Sequence, residues 1–171
     1  MSIQLTHKTS SFLNKKFPLI LICDGVKSPS NIGSLFRVCD ALGVSEIIFC
    51  NPELNINSPR LQKTARNTQK KVSFSTSLDI IATIDKLEKE NYSIVALEIT
   101  DTSTSLENNL ANKNQKIALV IGNEQQGISE EALQKCDQSV HINMYGENSS
   151  MNVVQATSIA LYSIINKLYI Y

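Results

Sequence analysis

Apolar residues in this chain fall into six short runs, Leu19–Cys23, Glu46–Cys50, Val72–Phe74, Ser93–Leu97, Ile117–Ile121 and Ser139–Ile142. Their length and their Ile, Val and Phe content read as β-strands. Between most of them the period changes to that of a helix. Ile32, Leu35, Phe36, Cys39 and Leu42 share one face of a helix over residues 31–42, which stops at Gly43, a residue suited to a C-terminal cap. Further helices are expected over residues 78–90, 129–135 and 150–169. This alternation predicts an α/β fold, a mainly parallel six-stranded sheet with helices on both faces, in which ligands gather at the carboxyl ends of the strands. The unusual residues sit at those ends: Asp24-Gly25 after the first strand, Glu98 after the fourth, Gly122-Asn123-Glu124 after the fifth and the Gly146 loop after the sixth. Residues 51–71 and 98–116 read as long connections, which often carry function.

The last helix is apolar on more than one side. Met151, Val154, Leu161, Ile165 and Leu168 form one stripe, and Val153, Ala156, Ala160 and Ile164 a second. Such a helix needs cover beyond its own sheet, which a second copy of the chain would supply. The loop before it contains Gly146, Asn148, Ser149 and Ser150. A helix start has unpaired backbone N–H groups, Gly146 permits a tight backbone, and the small polar side chains offer further hydrogen bonds, a junction suited to a ligand.

With 171 residues the chain holds one domain, residues 19–171, preceded by an N-terminal extension over residues 1–18. No apolar run approaches a bilayer span and the first residues lack the apolar core of a secretion signal, so the expected location is cytoplasmic with no membrane contact. The cysteines, Cys23, Cys39, Cys50 and Cys136, form no CxxC pair and have no histidine at zinc-finger spacing, so no metal site is expected. They read as small buried residues in a reducing compartment. The formal net charge of +0 conceals an asymmetry. Residues 1–78 hold ten Lys/Arg against four Asp/Glu, and residues 79–171 hold six against twelve. Arg60, Lys63, Arg66, Lys70 and Lys71 lie in a stretch with no acid between Glu53 and Asp79, a pattern suited to an RNA phosphate backbone.

Three clusters carry the chemistry. In the first, Asn31 reads as a helix N-cap; Gly33 and Arg37 lie one turn apart, opposite the apolar stripe, which leaves room for a substrate below the arginine. The second is a buried strand ending in Gly122-Asn123-Glu124-Gln125-Gln126-Gly127, which matches neither a Walker loop nor a GxGxxG fingerprint. The third is the junction from Ile142 to Ala156. In this order they resemble the three signature motifs of the SpoU (TrmH-like) RNA ribose 2′-O-methyltransferases of the SPOUT superfamily. Asn31, Gly33, Arg37 and Asp40-Ala41-Leu42-Gly43 match the first motif; Gly122, Glu124 and Gly127 match the second. Ile142, Met144, Gly146, Ser150, Asn152, Val153 and Ala156 match the third, where Asn143, Met151 and Val154 replace the family's usual Pro, Leu and Ser.

The resemblance implies a SPOUT fold with a C-terminal deep trefoil knot, one of the rare exceptions to unknotted topology. It implies S-adenosylmethionine as cofactor, with Leu97, Gly122, Ile142, Met144 and Met151 around it, and transfer of its methyl group to a ribose 2′-oxygen. It implies Asn31, Arg37, Glu124, Ser150 and Asn152 as the catalytic set, with Arg37 gripping a phosphate while Glu124, Ser150 and Asn152 orient Arg37 and the ribose. A homodimer and an RNA partner, tRNA or rRNA, follow in the same way. The short segment before the first strand makes tRNA the favoured target. Methylation of a base nitrogen, or an RNA-binding or nucleotide-binding module without catalysis, are the competing readings.

Overall fold

The computed structural model describes residues 12, 14–50, 54–108 and 115–170. Residues 1–11 and 13 of the expected N-terminal extension lie outside the described residues. The strands are β1 (Phe17–Asp24), β2 (Val44–Cys50), β3 (Ser73–Ser77), β4 (Tyr92–Leu97), β5 (Thr104–Ser105), β6 (Lys116–Ile121) and β7 (Gln138–His141). The helices are α1 (Pro29–Ala41), α2 (Pro59–Ala65), α3 (Ile80–Lys89), α4 (Glu130–Lys135) and α5 (Val153–Ile165). The sheet runs β3-β2-β1-β6-β4-β7-β5 and every pairing is parallel.

Alternate residues of the central strands supply two separate cores. Leu19, Leu21, Ile47, Phe49, Leu119 and Ile121 face α1, α2 and α5. Ile20, Ile22, Ile48, Ile94, Ala118 and Val120 face α3 and α4. Because both faces are covered, these strands are apolar at nearly every position and appear in the sequence as continuous runs. α1 is seated by Phe36, whose ring lies 5.7 Å from Phe49 and 5.3 Å from Phe74. Phe36 and Phe49 are fully buried, each contributing roughly 1.5–3 kcal/mol.

The sheet has seven strands, not the six expected. β5 is two residues long, Thr104 and Ser105, paired with Val140 and His141. Two polar residues carry no periodicity, so no pattern announces them. The stretch 51–71, expected to be a connection, contains α2 and a 3₁₀ turn at Thr68–Lys70. In α2 the buried residues are Leu61 and Ala65, too few to form a stripe. α1 begins two residues before Asn31, with Ser28 at the N-cap and Pro29 in the first turn, so Asn31 is not the cap. The helix stops before Gly43 at φ +67°, as expected.

α5 and the π-helical turn Asn166–Ile170 form one run of 18 residues with mean hydropathy 1.2, long and apolar enough by composition to cross a membrane. Gln155, Ser158, Ser163 and Asn166 interrupt it, so no continuous apolar run announces it in the sequence. Ala160, Leu161 and Ile164 of this run are fully buried against the sheet and α1 side of the fold. The two expected stripes merge into that single broad face, and the apolar residues left exposed are others: Ile159, Tyr162 and Ile170.

Gly33 sits where α1 meets α2. A Cβ there would lie 2.1 Å from Thr64 Oγ1 and 2.5 Å from the Leu61 carbonyl oxygen. The space over Gly33 that the helical spacing suggested for a substrate is therefore filled by α2. Gly33→Ala should push the two helices apart and cost about 1–3 kcal/mol, lowering the thermal midpoint by roughly 2–4 °C per kcal/mol. An unchanged midpoint in thermal unfolding would refute this close approach.

Candidate active site

β6 ends in a turn that depends on close backbone contact. A Cβ on Gly122 would lie 2.1 Å from the Gly127 carbonyl carbon and 2.2 Å from the Ile128 nitrogen. The turn closes by two hydrogen bonds, Asn123 N–H to the Gly127 oxygen at 2.9 Å and Gly127 N–H to the Asn123 oxygen at 3.0 Å. Asn123 stiffens it from inside. Its Nδ2 donates to the Gly25 oxygen at 2.6 Å, and its Oδ1 accepts from the Gln125 and Gln126 amides at 2.9 and 3.2 Å. The turn is thereby fastened to the end of β1, with Glu124 at its tip.

Glu124 meets the start of α1. Its Oε1 accepts from Asn31 Nδ2 at 2.8 Å and from the Ser28 amide at 3.2 Å, and its Oε2 from the Lys27 amide at 3.4 Å. Partial burial pushes the Glu124 carboxyl upward. The hydrogen bonds from the Asn31 side chain and from backbone amides outweigh that and hold it below the usual carboxylate range. Asn31 Oδ1 accepts in turn from Asn152 Nδ2 at 3.3 Å, and Asn152 Oδ1 caps α5 by accepting from the Val154 amide at 2.9 Å. Three of the five expected catalytic residues thus form one chain of hydrogen bonds joining the β6 turn, α1 and α5.

Beside this chain lies a cleft of about 540 Å³ at the carboxyl ends of β4, β6 and β7. All five expected cofactor residues, Leu97, Gly122, Ile142, Met144 and Met151, line it, as do Glu124, Ser150 and Asn152. Among the other lining residues are Glu98, Asn123 and His141, which were not assigned a role from the sequence. Each follows or closes a strand at its carboxyl end, and that placement is the signal that marks them. His141 Nδ1 lies 2.9 Å from Ser103 Oγ, so its ring is held between the cleft and the β5 segment.

Other expected residues lie outside the cleft wall. Arg37 is exposed, does not line the cleft, and has no hydrogen bond or ion pair with another described residue. It follows Asn31 by six residues, about 9 Å along the helix axis. Glu124 and Asn152 accordingly hold Asn31 and not Arg37. Gly146 is in an open loop where an added Cβ would meet nothing within 4 Å, so no tight backbone requires it. Arg60, Lys63, Arg66, Lys70 and Lys71 are all exposed, on or beside α2 and the 3₁₀ turn, away from the cleft wall. Among the described residues no group of three or more His, Cys, Asp or Glu is arranged to hold a metal.

Comparison with known proteins agrees with this geometry. Residues 18–162 match the SpoU rRNA Methylase family. The chain is 32% identical over 155 residues to the 23S rRNA (guanosine-2′-O-)-methyltransferase RlmB of Blochmanniella floridana, covering 90% of this chain and 59% of that protein. It spans 58–60% of the length of that relative and of two staphylococcal ones. Among solved structures, the A. aeolicus TrmH/SpoU tRNA modifying enzyme superposes with a TM-score of 0.80 at 26% identity, over 90% of this chain and 77% of that one. The SpoU methyltransferase AviRb of Streptomyces viridochromogenes, in complex with AdoMet, superposes with a TM-score of 0.78 at 24% identity, over 91% of this chain and 62% of that one. With the family match running through β1, the Glu124 turn and α5, this chain belongs to the SpoU rRNA methylase family.

Proposed function

We propose that this protein transfers a methyl group from S-adenosylmethionine to a ribose 2′-hydroxyl of RNA. The observation that carries the reading is the convergence, on one cleft, of the five expected cofactor residues with Glu124, Ser150 and Asn152. The wall fits the cofactor chemically: Leu97, Ile142, Met144 and Met151 offer an apolar surface for an adenine, and Glu98 and Glu124 offer negative charge to a sulfonium. When bound, the cofactor supplies an electrophilic methyl whose departure leaves a neutral thioether, so no metal is required to stabilise a leaving group.

The chain's own residues supply position. Glu124, Asn31 and Asn152 lock the loops against one another, and Ser150 stands at the cleft edge, exposed and able to hydrogen-bond a ribose. The role of Arg37 is to grip the phosphate next to the target sugar with the fixed fork of donors of its guanidinium and to stabilise negative charge developing on the oxygen. Its separation from Asn31 along α1 suits a ribose at one end and a neighbouring phosphate at the other. RNA is the substrate class because DNA lacks the 2′-hydroxyl. The exposed cations from Arg60 to Lys71 would hold its backbone through phosphates. A tRNA is the first substrate to test, since a solved relative at 26% identity is a tRNA modifying enzyme.

Two features of assembly belong to the same proposal. A homodimer would cover the groove between α5, the end of α1 and β5; Ile159, Tyr162 and Tyr145 stand exposed along it. The C-terminal path would form a deep trefoil knot. Support comes from the sheet order, in which β7 enters between β4 and the earlier β5.

Incubation with methyl-labelled S-adenosylmethionine and tRNA or rRNA should yield 2′-O-methylnucleosides by mass spectrometry after digestion. Label on a base nitrogen would instead mark a base methyltransferase, and no calorimetric binding of S-adenosylmethionine would mark a binding module. Arg37→Ala should lower methyl transfer by about 100-fold while leaving cofactor affinity within about twofold; full activity in this variant would overturn the role of Arg37. In a carbon-13 NMR titration, Glu124 should protonate below the ordinary glutamate value of about 4.3, and Asn31→Ala should move its midpoint upward. Because its folded value is lowered, the stability it contributes is present above the ordinary range and lost as pH falls through that lowered value. A midpoint that ignores Asn31→Ala would exclude this hydrogen bond in solution.

A further inference from the structure

The cleft is acidic. Glu98 and Glu124 both line it, and no described lysine or arginine does. Glu124 is committed to Asn31 and to the start of α1. Glu98 is not part of that chain, and none of the three sequence motifs includes it. It directly follows β4, is half-buried, and is pinned by two amides: Oε2 accepts from Ile128 at 3.2 Å and Oε1 from Ile99 at 3.0 Å. Its Oε2 also lies against Gly127, 2.6 Å from where a Cβ would stand, so the turn that carries Glu124 needs a glycine there to admit this carboxylate. Each oxygen retains a free lone pair.

A carboxylate partly withdrawn from water is costly unless it meets a donor or a cation. Two amides offset part of that cost, and no cation of the described cleft wall contributes. A positively charged ligand would supply the missing partner. We infer that Glu98 makes this cleft selective for the methyl-bearing sulfonium form of the cofactor over its demethylated thioether. The inference rests on the cofactor reading above. Methyl transfer breaks the C–S bond, leaves its electron pair on sulfur, forms a C–O bond and releases the hydroxyl proton. The nucleoside left in the cleft has therefore lost one positive charge, and with it the attraction of Glu98. Substrate is retained and spent product is released by the same side chain.

The test is calorimetric binding of S-adenosylmethionine and S-adenosylhomocysteine to the full chain at one fixed pH. Sinefungin, which carries an amine in place of the sulfonium, serves as a second cation. The wild type should bind both cations about tenfold more tightly than the thioether at low salt, a ratio expected of one carboxylate several ångströms away. That ratio should shrink as salt is raised. In Glu98→Gln it should fall to within about twofold at low salt, read as a ratio within the one variant because its amide NH2 also replaces one acceptor of the Ile99 and Ile128 amides. Equal affinities in the wild type, or a ratio insensitive to both salt and Glu98→Gln, would overturn the inference. Were neither nucleoside to bind, the cofactor reading itself would fail, a distinct outcome. Should Glu98→Gln not fold, Glu98→Asp, which draws the charge back from the cleft, should lower the ratio, and a ratio that survives loss or withdrawal of the Glu98 charge, whatever its salt dependence, overturns the inference.

Discussion

The carboxylate of Glu124 ties together segments more than ninety residues apart. It receives Asn31 and the amides of Lys27 and Ser28 from the approach to α1, and through Asn31 it reaches Asn152 at the cap of α5. A loop carboxylate in water would find donors anywhere, but here its partners are amides fixed by the start of a buried helix. The carboxylate is also oriented before any ligand arrives, because the Gly122–Gly127 turn beneath it is closed by its own backbone and fastened to β1 through Asn123. That is preorganisation in its plain sense: the cost of ordering the loops is met by folding and not by binding.

The same arrangement explains the character of the cleft. The sheet changes direction of growth beside β1, so the ends of β4, β6 and β7 lie together, and the start of α5 lines the cleft beside them through Val153 and Ala156. Apolar residues arrive there because the strands are buried on both faces up to their last positions, and polar ones arrive because the turns begin there. Leu97 and Glu98 illustrate the change within two residues. The first still belongs to the margin of a core, and the second is the first position free to turn its side chain to a ligand. Acidity is local to the cleft wall, since the basic cluster from Arg60 to Lys71 lies apart from it, on or beside α2 and its 3₁₀ turn. A small cation and a long polyanion can then be attracted to the same molecule at separate places.

Arg37 shows how a motif residue and a motif site separate in three dimensions. Asn31, Gly33 and Arg37 are close in sequence, yet each answers to a different neighbour: Glu124, α2 and solvent. Gly33 serves packing, and its missing side chain lets two helices approach, where helical spacing alone had suggested open space. The basic surface of α2 is therefore held at a set distance from α1, and Arg37, one turn beyond Gly33, shares the side of α1 that faces it.

The amino-acid sequence alone determined the strand runs of the central sheet, the helices α1, α3 and α5, and the residues of the cleft wall from Leu97 to Met151. The strands and helices were legible because burial on two faces writes itself into local composition; the cofactor residues from Leu97 to Met151 were legible through the motif resemblance, with glycine and asparagine turns at the strand ends beside them. It did not determine β5, α2, the start of α1 at Pro29, or the neighbour of Gly33. Thr104 and Ser105 become a strand because β7 offers them a free edge, and residues 59–65 become a helix with only Leu61 and Ala65 buried within it. The cleft's charge was likewise decided in three dimensions. Glu98 and Glu124 stand 26 positions apart along the chain, and only the parallel pairing of β4 with β6 sets them on one wall. Local pattern records which side chains must leave water; which polar groups then meet is settled by where the tertiary structure brings the strand ends together.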